Sequence, residues 1–317
     1  MKTVHGLRFG VYSTPNPLNG RAGFTLTELL ISISITALVI AAAYASFITQ
    51  QRAFMVQDQA AETLVSSRIA FDMIVNDIRN AGFGYPGKEN LPPGGINGFT
   101  DVITIDNALG PNGSDRITIL GGFRKIADLQ NAVVTGSNQI NIKNYTSTNF
   151  NLTNRSNLSI DGIQFAKIES CTLIGTGAQA YCSLAQPLIL DRSVSVPFPA
   201  NRPVYLVEDV TYQIEGGNLQ RVRWLNTSKI YIGTNSDTDT IANNIDDLQF
   251  AGIPSTGVIN SIRVNLLART QNEDPTLEPS TKPYFATGIT LEDNTTPDTD
   301  QYRRRIWSME VALRNPR

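Results

Sequence analysis

The sequence predicts an α+β fold, in which one long N-terminal α-helix precedes a predominantly β globular head. Three observations support this prediction. Residues 29–51 form an uncharged, mostly apolar run without Pro or Gly, residues 52–82 continue it with an amphipathic helical pattern, and the remainder alternates short apolar segments with turn residues. With 317 residues, 41% of them apolar, the chain is long enough for one large core or two small ones.

The first 23 residues form a basic leader. They carry Lys2, Arg8 and Arg21 and no acidic side chain, although the whole chain has a formal net charge of only −2. A chain so close to neutral does not favour nucleic-acid binding, because it has no excess of cations to neutralise phosphates. The one histidine, His5, also lies in the leader, so removal of residues 1–23 would exclude His-based triads, zinc sites and proton shuttles.

The uncharged run at residues 29–51 predicts a membrane-spanning helix. As an α-helix it would be about 34 Å long, enough for the ~30 Å hydrocarbon layer, and the basic side before it should stay cytoplasmic. A secretory signal peptide is the alternative. Against that alternative, the apolar run is long, and the alanines at 41–43 continue into Tyr44 without a helix break.

A carboxylate, Glu28, lies immediately before this run. A lone carboxylate within a membrane helix costs a few kcal/mol, on the order of 3, and such groups are usually paired and functional. Alternatively, Glu28 lies at the level of the lipid headgroups, near the helix start, where the helix dipole favours a negative charge.

Residues 23–30, Gly-Phe-Thr-Leu-Thr-Glu-Leu-Leu, resemble the processing site of type IV prepilins and of type II secretion pseudopilins. The resemblance implies that a prepilin peptidase/N-methyltransferase cuts after Gly23 and methylates the new N-terminus at Phe24. It also implies that Glu28 pairs with the Phe24 ammonium group of a neighbouring subunit and fixes the axial register between helices. Breaking a buried charge pair of this kind costs roughly 3–5 kcal/mol.

The helix is predicted to continue to about Ala81 and to end at Gly82, Gly84 and Pro86. Residues 68–83, which contain the run Asp-Ile-Arg-Asn-Ala-Gly, are similar to the end of the first helix in PilW-type minor pilins and in the related J-type minor pseudopilins. The apolar stripe that we expect to pack on the sheet of the head consists of Leu64, Phe71, Ile74, Val75 and Ile78.

The head is predicted to consist of short strands, with a hairpin around Glu215-Gly216-Gly217-Asn218. Residues 271–300 are expected to be an exposed loop, and residues 135–159 either solvated connections or an insert facing a sugar or a surface. Residues 204–315 resemble PilW-type proteins in part, whereas residues 84–203 show no family signal. The candidate strands are 101–105, 115–120, 139–143, 163–169, 187–190, 204–214, 219–224, 262–268 and 305–313.

Cys171 and Cys182 are candidates for a disulfide, which a periplasmic location would favour; two unrelated buried thiols are the alternative. Asp237 and Asp239 are weak calcium candidates, because oxygen-rich flexible segments suit that ion, although the Gly and the distal Glu of an EF-hand loop are missing. The arginines at 303–305 could contact DNA or anionic lipid, or could form a solvated or ion-paired surface. No catalytic motif and no cofactor site is recognised.

These features predict a minor pilin that takes part in initiation or in the tip complex of a type IV pilus. The expected organisation is a cleaved leader (1–23), a membrane and filament-core helix (24–51), its amphipathic continuation (52–82) and a β-rich periplasmic head (83–317). The protein would be single-pass in the inner membrane and would then enter the filament. A J-type minor pseudopilin of a type II secretion system and a pilus-tip adhesin are the alternatives; an enzyme is not expected.

The family resemblance also implies partners. They are other minor and major pilins, the prepilin peptidase/N-methyltransferase, the inner-membrane assembly platform and, before assembly, the lipid bilayer. We expect no nucleic acid and no cofactor among them.

Overall fold

The first helix and the head are described by a computed structural model. The chain divides into two units, Met1–Met55 and Val56–Arg317, and one α-helix, α1 (Leu26–Arg79), runs through the boundary. The predicted fold class is confirmed, because a long N-terminal helix precedes a predominantly β head. The structure describes residues 24–87, 91, 94–134, 136–145, 157–174, 179–185, 198–223, 237–254, 258–278, 280–281 and 299–314.

The second unit contains three antiparallel sheets among its described residues. A three-stranded sheet consists of β10 (Ile245–Ile253), β11 (Ser261–Arg269) and β14 (Arg304–Ala312), while β12 (Ser280–Thr281) and β13 (Thr299–Asp300) pair with each other. The larger sheet contains β1 (Ile103–Asp106), β2 (Arg116–Leu129), β3 (Gln139–Lys143), β4 (Asn157–Ile160), β5 (Gln164–Ile174), β6 (Gln179–Leu184), β7 (Pro203–Glu215), β8 (Asn218–Arg223) and β9 (Asp237–Ala242).

Six strands of the larger sheet close into a ring. The sheet has the order β1-β2-β3-β6-β5-β4-β7-β8-β9, and a further pairing of β2 with β7 joins the two sides of β2-β3-β6-β5-β4-β7. Apolar side chains of these strands form a buried cluster that includes Leu129, Ile140, Leu158, Cys182 and Leu206. Closure removes free strand edges and gives this part of the head a core of its own.

A second core is formed by α1, the strands outside the ring and part of β2 and β7. Phe71, Ile74 and Ile78 of α1 are buried with apolar residues of β1, β7, β8, β10, β11 and β14. The strands β2 and β7 are long enough to contribute to both cores. Where the chain that follows α1 meets β2, a Cβ atom on Gly122 would lie 3.2–3.3 Å from Phe83 and Tyr205, so a larger residue there would require these neighbours to shift by a few tenths of an ångström.

The hairpin prediction is confirmed. Glu215 pairs with Asn218, and Gly216 and Gly217 both have positive φ (58° and 77°), as a two-residue type I′ turn requires. Of the other predicted strands, those near 101–105, 115–120, 139–143, 163–169, 204–214, 262–268 and 305–313 are present.

The interpretation of residues 135–159 as solvated connections is wrong at their C-terminal end. Residues 157–160 form β4, one of the six strands of the ring, and all four are buried. Asn and Ser in this stretch gave it a polar composition, but Leu158 and Ile160 point into the core and pair with β7. The predicted strand at 187–190 and Trp224 at the end of the hairpin lie outside the described residues.

Candidate functional site

The helix start is built around Thr25 and Glu28. The Glu28 backbone N–H donates to Thr25 Oγ1 (3.3 Å), while Glu28 Oε2 accepts from the Thr25 backbone N–H (3.0 Å) and from its hydroxyl (2.9 Å). This is a capping box, Thr-x-x-Glu, in which two backbone donors at a helix start are satisfied reciprocally. Phe24 is the first described residue and is 85% exposed; Gly23 lies outside the described residues.

The N-terminal part of α1 exposes its apolar side chains all round. Between residues 29 and 51 it carries no charge, and by length and composition α1 can cross a membrane. Such a surface is unfavourable in water, because burying a large apolar side chain lowers its free energy by about 1.5–3 kcal/mol relative to leaving it exposed. This part of the helix therefore requires lipid or other apolar helices around it. The exposed large side chains are Leu29, Leu30, Ile31, Ile33, Ile35, Leu38, Val39, Ile40, Tyr44 and Phe47.

The hydroxyl groups in this apolar segment are satisfied within the helix itself. Ser32 Oγ donates to the Glu28 carbonyl (2.7 Å), Ser34 Oγ to that of Leu30 (2.8 Å), and Thr36 Oγ1 to that of Ser32 (2.7 Å). A polar group in lipid costs free energy unless it is hydrogen-bonded. These bonds to the preceding turn allow Ser and Thr to lie in an apolar environment without an external partner.

Near the C-terminal end of α1, Asp77 forms a buried polar cluster with the head. Asp77 Oδ2 accepts from the Tyr212 hydroxyl (2.6 Å) and from Arg221 Nε and Nη2 (both 3.0 Å). Burial, and then the nearby Asp77 carboxylate, raise the pKa of Tyr212 well above its usual value, so its phenol stays neutral and donates. The cluster ties the last turns of α1 to the β7–β8 hairpin.

The predicted apolar stripe is confirmed at four of its five positions, because Phe71, Ile74, Val75 and Ile78 are buried. The prediction for Leu64 is wrong, since its side chain is 44% exposed. At that turn the head contacts Thr63 instead, whose hydroxyl donates to the Arg269 carbonyl (3.3 Å).

One turn further along α1, a polar contact again replaces an apolar one. Ser67 is buried and accepts from Trp307 Nε1 (2.9 Å). At these two turns the helix face therefore makes polar contacts with the head, one with the last residue of β11 and one with Trp307 within β14.

Cys171 and Cys182 form a disulfide between β5 and β6, which pair directly at these two residues. The bond cross-links two adjacent strands of the ring. It closes a short loop, with a sequence separation of 11 residues.

Asp237 and Asp239, the weak calcium candidates, lie in a strand rather than in a loop. Both residues belong to β9, which pairs with β8, and the Asp239 carboxylate lies 2.9 Å from Arg223 Nη2. Within the described parts of the chain, no group of three or more His, Cys, Asp or Glu side chains could hold a metal ion.

Two of the arginines at 303–305, Arg303 and Arg304, form ion pairs, which was one of the two predicted alternatives. Arg303 Nη2 lies 2.6 Å from Asp274, and Arg304, whose side chain is only 5% exposed, donates to Asp246 Oδ2 (2.6 Å) and pairs with Asp300. The guanidinium group of Arg305 lies over the Trp307 ring (5.4 Å). The three side chains therefore do not form one basic patch.

Two features of the site were absent from the sequence predictions. The capping box could have been found from the Thr25-x-x-Glu28 spacing, which is visible in the sequence. The Asp77–Tyr212–Arg221 cluster could not, because its members come from separate elements and no local spacing connects them.

A comparison with known protein families matched residues 18–44 to the prokaryotic N-terminal methylation motif. The comparisons with curated proteins and with solved structures found no match. The matched segment covers the end of the basic leader, the capping box and the first part of the apolar helix. Together with the long apolar helix and the β-rich head, this prepilin-type motif supports a type IV pilin-like protein.

Proposed function

We propose that this chain is a minor pilin that takes part in the initiation or the tip complex of a type IV pilus. A prepilin peptidase/N-methyltransferase cleaves after Gly23 and methylates Phe24. The mature chain is anchored in the inner membrane by residues 24–51, with the head in the periplasm. The assembly platform then moves it into a filament, where it packs against other minor and major pilins.

The exposed, uncharged surface of the N-terminal part of α1 carries this proposal. Because its hydroxyl groups are satisfied internally, the same helix suits two apolar environments, the lipid bilayer and a bundle of like helices. Transfer between them leaves the buried apolar area nearly unchanged. The size of the head, residues 83–317, favours a low-copy subunit over a bulk one.

Glu28 has two roles in this proposal. It caps its own helix, and it receives the ammonium group of Phe24 from a neighbouring subunit. The roles are compatible, because the cap bonds from Thr25 both go to Oε2 and a carboxylate offers about four acceptor positions on its two oxygens. The intersubunit pair offsets the cost of taking both charges out of water and fixes the axial register.

Three variants separate the two roles. Glu28→Gln retains a side chain that can complete the capping box but removes the charge, whereas Thr25→Ala weakens the cap and leaves the carboxylate intact. Glu28→Ala removes both. We expect Glu28→Gln and Glu28→Ala to insert into the membrane but to be depleted from sheared filaments at least tenfold, and Thr25→Ala to assemble within about twofold of wild type. Normal assembly of Glu28→Gln would refute the charge-pairing role.

The processing step is tested by mass spectrometry of the mature N-terminus in membrane and sheared-filament fractions. We expect an N-methylated Phe24 in both fractions, with the chain far less abundant than the bulk pilin. A mature start beyond residue 48 would remove the membrane anchor and refute the proposal. Processed chain that is absent from surface filaments but required for protein secretion would favour the minor pseudopilin instead.

A further inference from the structure

The two cores of the head divide the chain at two points. Among the described residues, the buried apolar side chains of the ring core all lie between Ile126 and Leu206, and those of the core around α1 all lie outside that range. On β7 the division falls between Leu206 and Val207, which are consecutive residues. Residues 124–206 thus form an inserted module, and the other residues of the second unit, 56–123 and 207–317, form a scaffold.

The two ends of the inserted module are neighbours in the large sheet. Arg124 on β2 pairs with Leu206 on β7, so the chain leaves the scaffold and returns to it at adjacent positions. The register of the two strands shifts at this point. Gly121 pairs with Glu208, so two residues of β2 lie opposite one residue of β7. A bulge of this kind disrupts the ladder locally and bends the strand, and it lies at the border between the two cores.

The inserted module has its own means of stabilisation. Its strands β3, β6, β5 and β4 pair in sequence between the end of β2 and the start of β7 and so close the ring. The disulfide between Cys171 and Cys182 lies entirely within it. A segment that has its own core, its own strand pairing and its own cross-link meets the physical requirements of a separate cooperative unit.

The contacts that hold α1 come from the scaffold. The Asp77 cluster, the aromatic contact of Phe71 and the hydrogen bonds of Thr63 and Ser67 all have their partners outside residues 124–206. These partners are Tyr212, Arg221, Arg269 and Trp307. Under the proposed function, α1 is the element that enters the filament. The scaffold therefore contains the contacts that attach the head to this helix.

The segment that follows α1 touches the inserted module at the border. The Phe83 ring packs edge-on against Tyr205, with the ring centroids 5.0 Å apart. A Cβ atom on Gly162, which has a φ of 72°, would lie only 2.2 Å from the Phe83 ring, so a glycine is required there. Phe83 and Tyr205 are only partly buried, as is Phe165 of the module, which packs against the scaffold core. These contacts position the module without merging the two cores.

We propose that the inserted module is a separate folding unit and that entry into the filament does not require it. The second half of this inference rests on the proposed function. When the module opens, the scaffold keeps its fold and its contacts with α1. The head thereby divides into a part that serves assembly and a part that does not.

The test places one charge in each core of the full-length chain. Leu158→Asp in β4 and the matched variant Leu266→Asp in β11 replace leucines that are 0% and 1% exposed. An unpaired carboxylate in an apolar core is strongly unfavourable, so each variant opens the part that contains it. Amide hydrogen exchange in detergent is followed in β3 and β6 for the module and in β10 and β11 for the scaffold. The ratio of sheared-filament to membrane-bound chain is measured for the same variants.

We expect Leu158→Asp to accelerate exchange in β3 and β6 by about tenfold or more, and to leave exchange in β10 and β11 within about twofold of wild type. Its filament-to-membrane ratio should stay within about twofold of wild type, whereas Leu266→Asp should accelerate exchange in β10 and β11 and lower that ratio about tenfold or more. Equal acceleration in both parts by Leu158→Asp would overturn the separate unit. A tenfold lower ratio with a protected scaffold would overturn the claim that assembly does not need the module.

A second variant decides if the Leu158→Asp chain does not accumulate in the membrane. Replacing Cys171 and Cys182 together by Ala removes only the cross-link, which closes a loop with a sequence separation of 11. Loss of such a bond destabilises the unit that contains it, and the same two measurements and outcomes apply. Absence of the wild-type chain from filaments would overturn the proposed function, while hydrogen exchange would still decide whether the module is a separate unit.

Discussion

The polar cluster that joins α1 to the hairpin allows a quantitative prediction. Asp77→Ala removes the acceptor of three hydrogen bonds, two from Arg221 and one from Tyr212. The side chains of Asp77 and Arg221 are 15% and 13% exposed, and Tyr212 is fully buried. The substitution therefore leaves a guanidinium group and a phenol in the interior without their carboxylate.

Breaking a buried pair by removing one partner costs about 3–5 kcal/mol. We expect the lower end, about 3 kcal/mol, because Arg221 Nε still has the Tyr212 oxygen at 3.2 Å as an acceptor and the pair retains some exposure to water. For a domain of this size, 1 kcal/mol corresponds to roughly 2–4 °C, so the unfolding temperature of the head should fall by about 6–12 °C. Tyr212→Phe, which removes only the hydroxyl, should cost about 1–2 kcal/mol.

Asp72→Ala is the matched control. Asp72 also lies in α1 and also pairs with an arginine, Arg68 (3.0 Å), but both side chains are 48% exposed. Surface pairs of this kind contribute about 0–1 kcal/mol, and the change in helix propensity is the same in both variants. Near-UV circular dichroism of the full-length chain in detergent follows unfolding of the head. If Asp77→Ala and Asp72→Ala unfold within about 1 °C of each other, the reasoning is wrong.

The remaining predictions concern the core of the head and its acid stability. Ile74→Ala should destabilise the head by about 2–5 kcal/mol in urea unfolding, and Leu64→Ala, at an exposed position, by less than about 1 kcal/mol; equal effects would contradict the observed packing. Hydrogen bonds from the hydroxyl and N–H of Thr276, and then from Arg303, lower the pKa of Asp274 to about 2. Its stabilising effect is therefore present above about pH 4 and lost as the pH falls towards 2, so wild type and Asp274→Asn should differ at pH 6 and converge near pH 2.

Local sequence patterns were sufficient to predict those parts of the structure that depend on residues close together in the chain. The uncharged run predicted the exposed apolar helix, Gly216 and Gly217 predicted the hairpin turn, and the spacing of Phe71, Ile74 and Ile78 predicted the buried face of α1. Each of these features depends on the spacing of apolar residues, on charge or on backbone conformation over a few residues.

Long-range contacts were not predictable in the same way. Asn157 and Ser159 suggest a solvated connection, yet these residues form the buried strand β4, which pairs with β5 and β7 as part of the ring. Asp237 and Asp239 suggest a flexible loop, yet β8 supplies a strand partner and Arg223 supplies a counter-charge. In both cases a strand elsewhere in the chain forms hydrogen bonds or ion pairs with polar groups that, from the local composition, would be expected to be exposed to water.

The sequence by itself determined the leader, the apolar helix, the position of the single carboxylate at its start and a β-rich head, because charge and periodicity act locally. The tertiary structure decided which face of α1 is covered at each turn and which groups pair with Asp77. These properties depend on contacts between residues far apart in the chain, and such contacts exist only after the strands have paired.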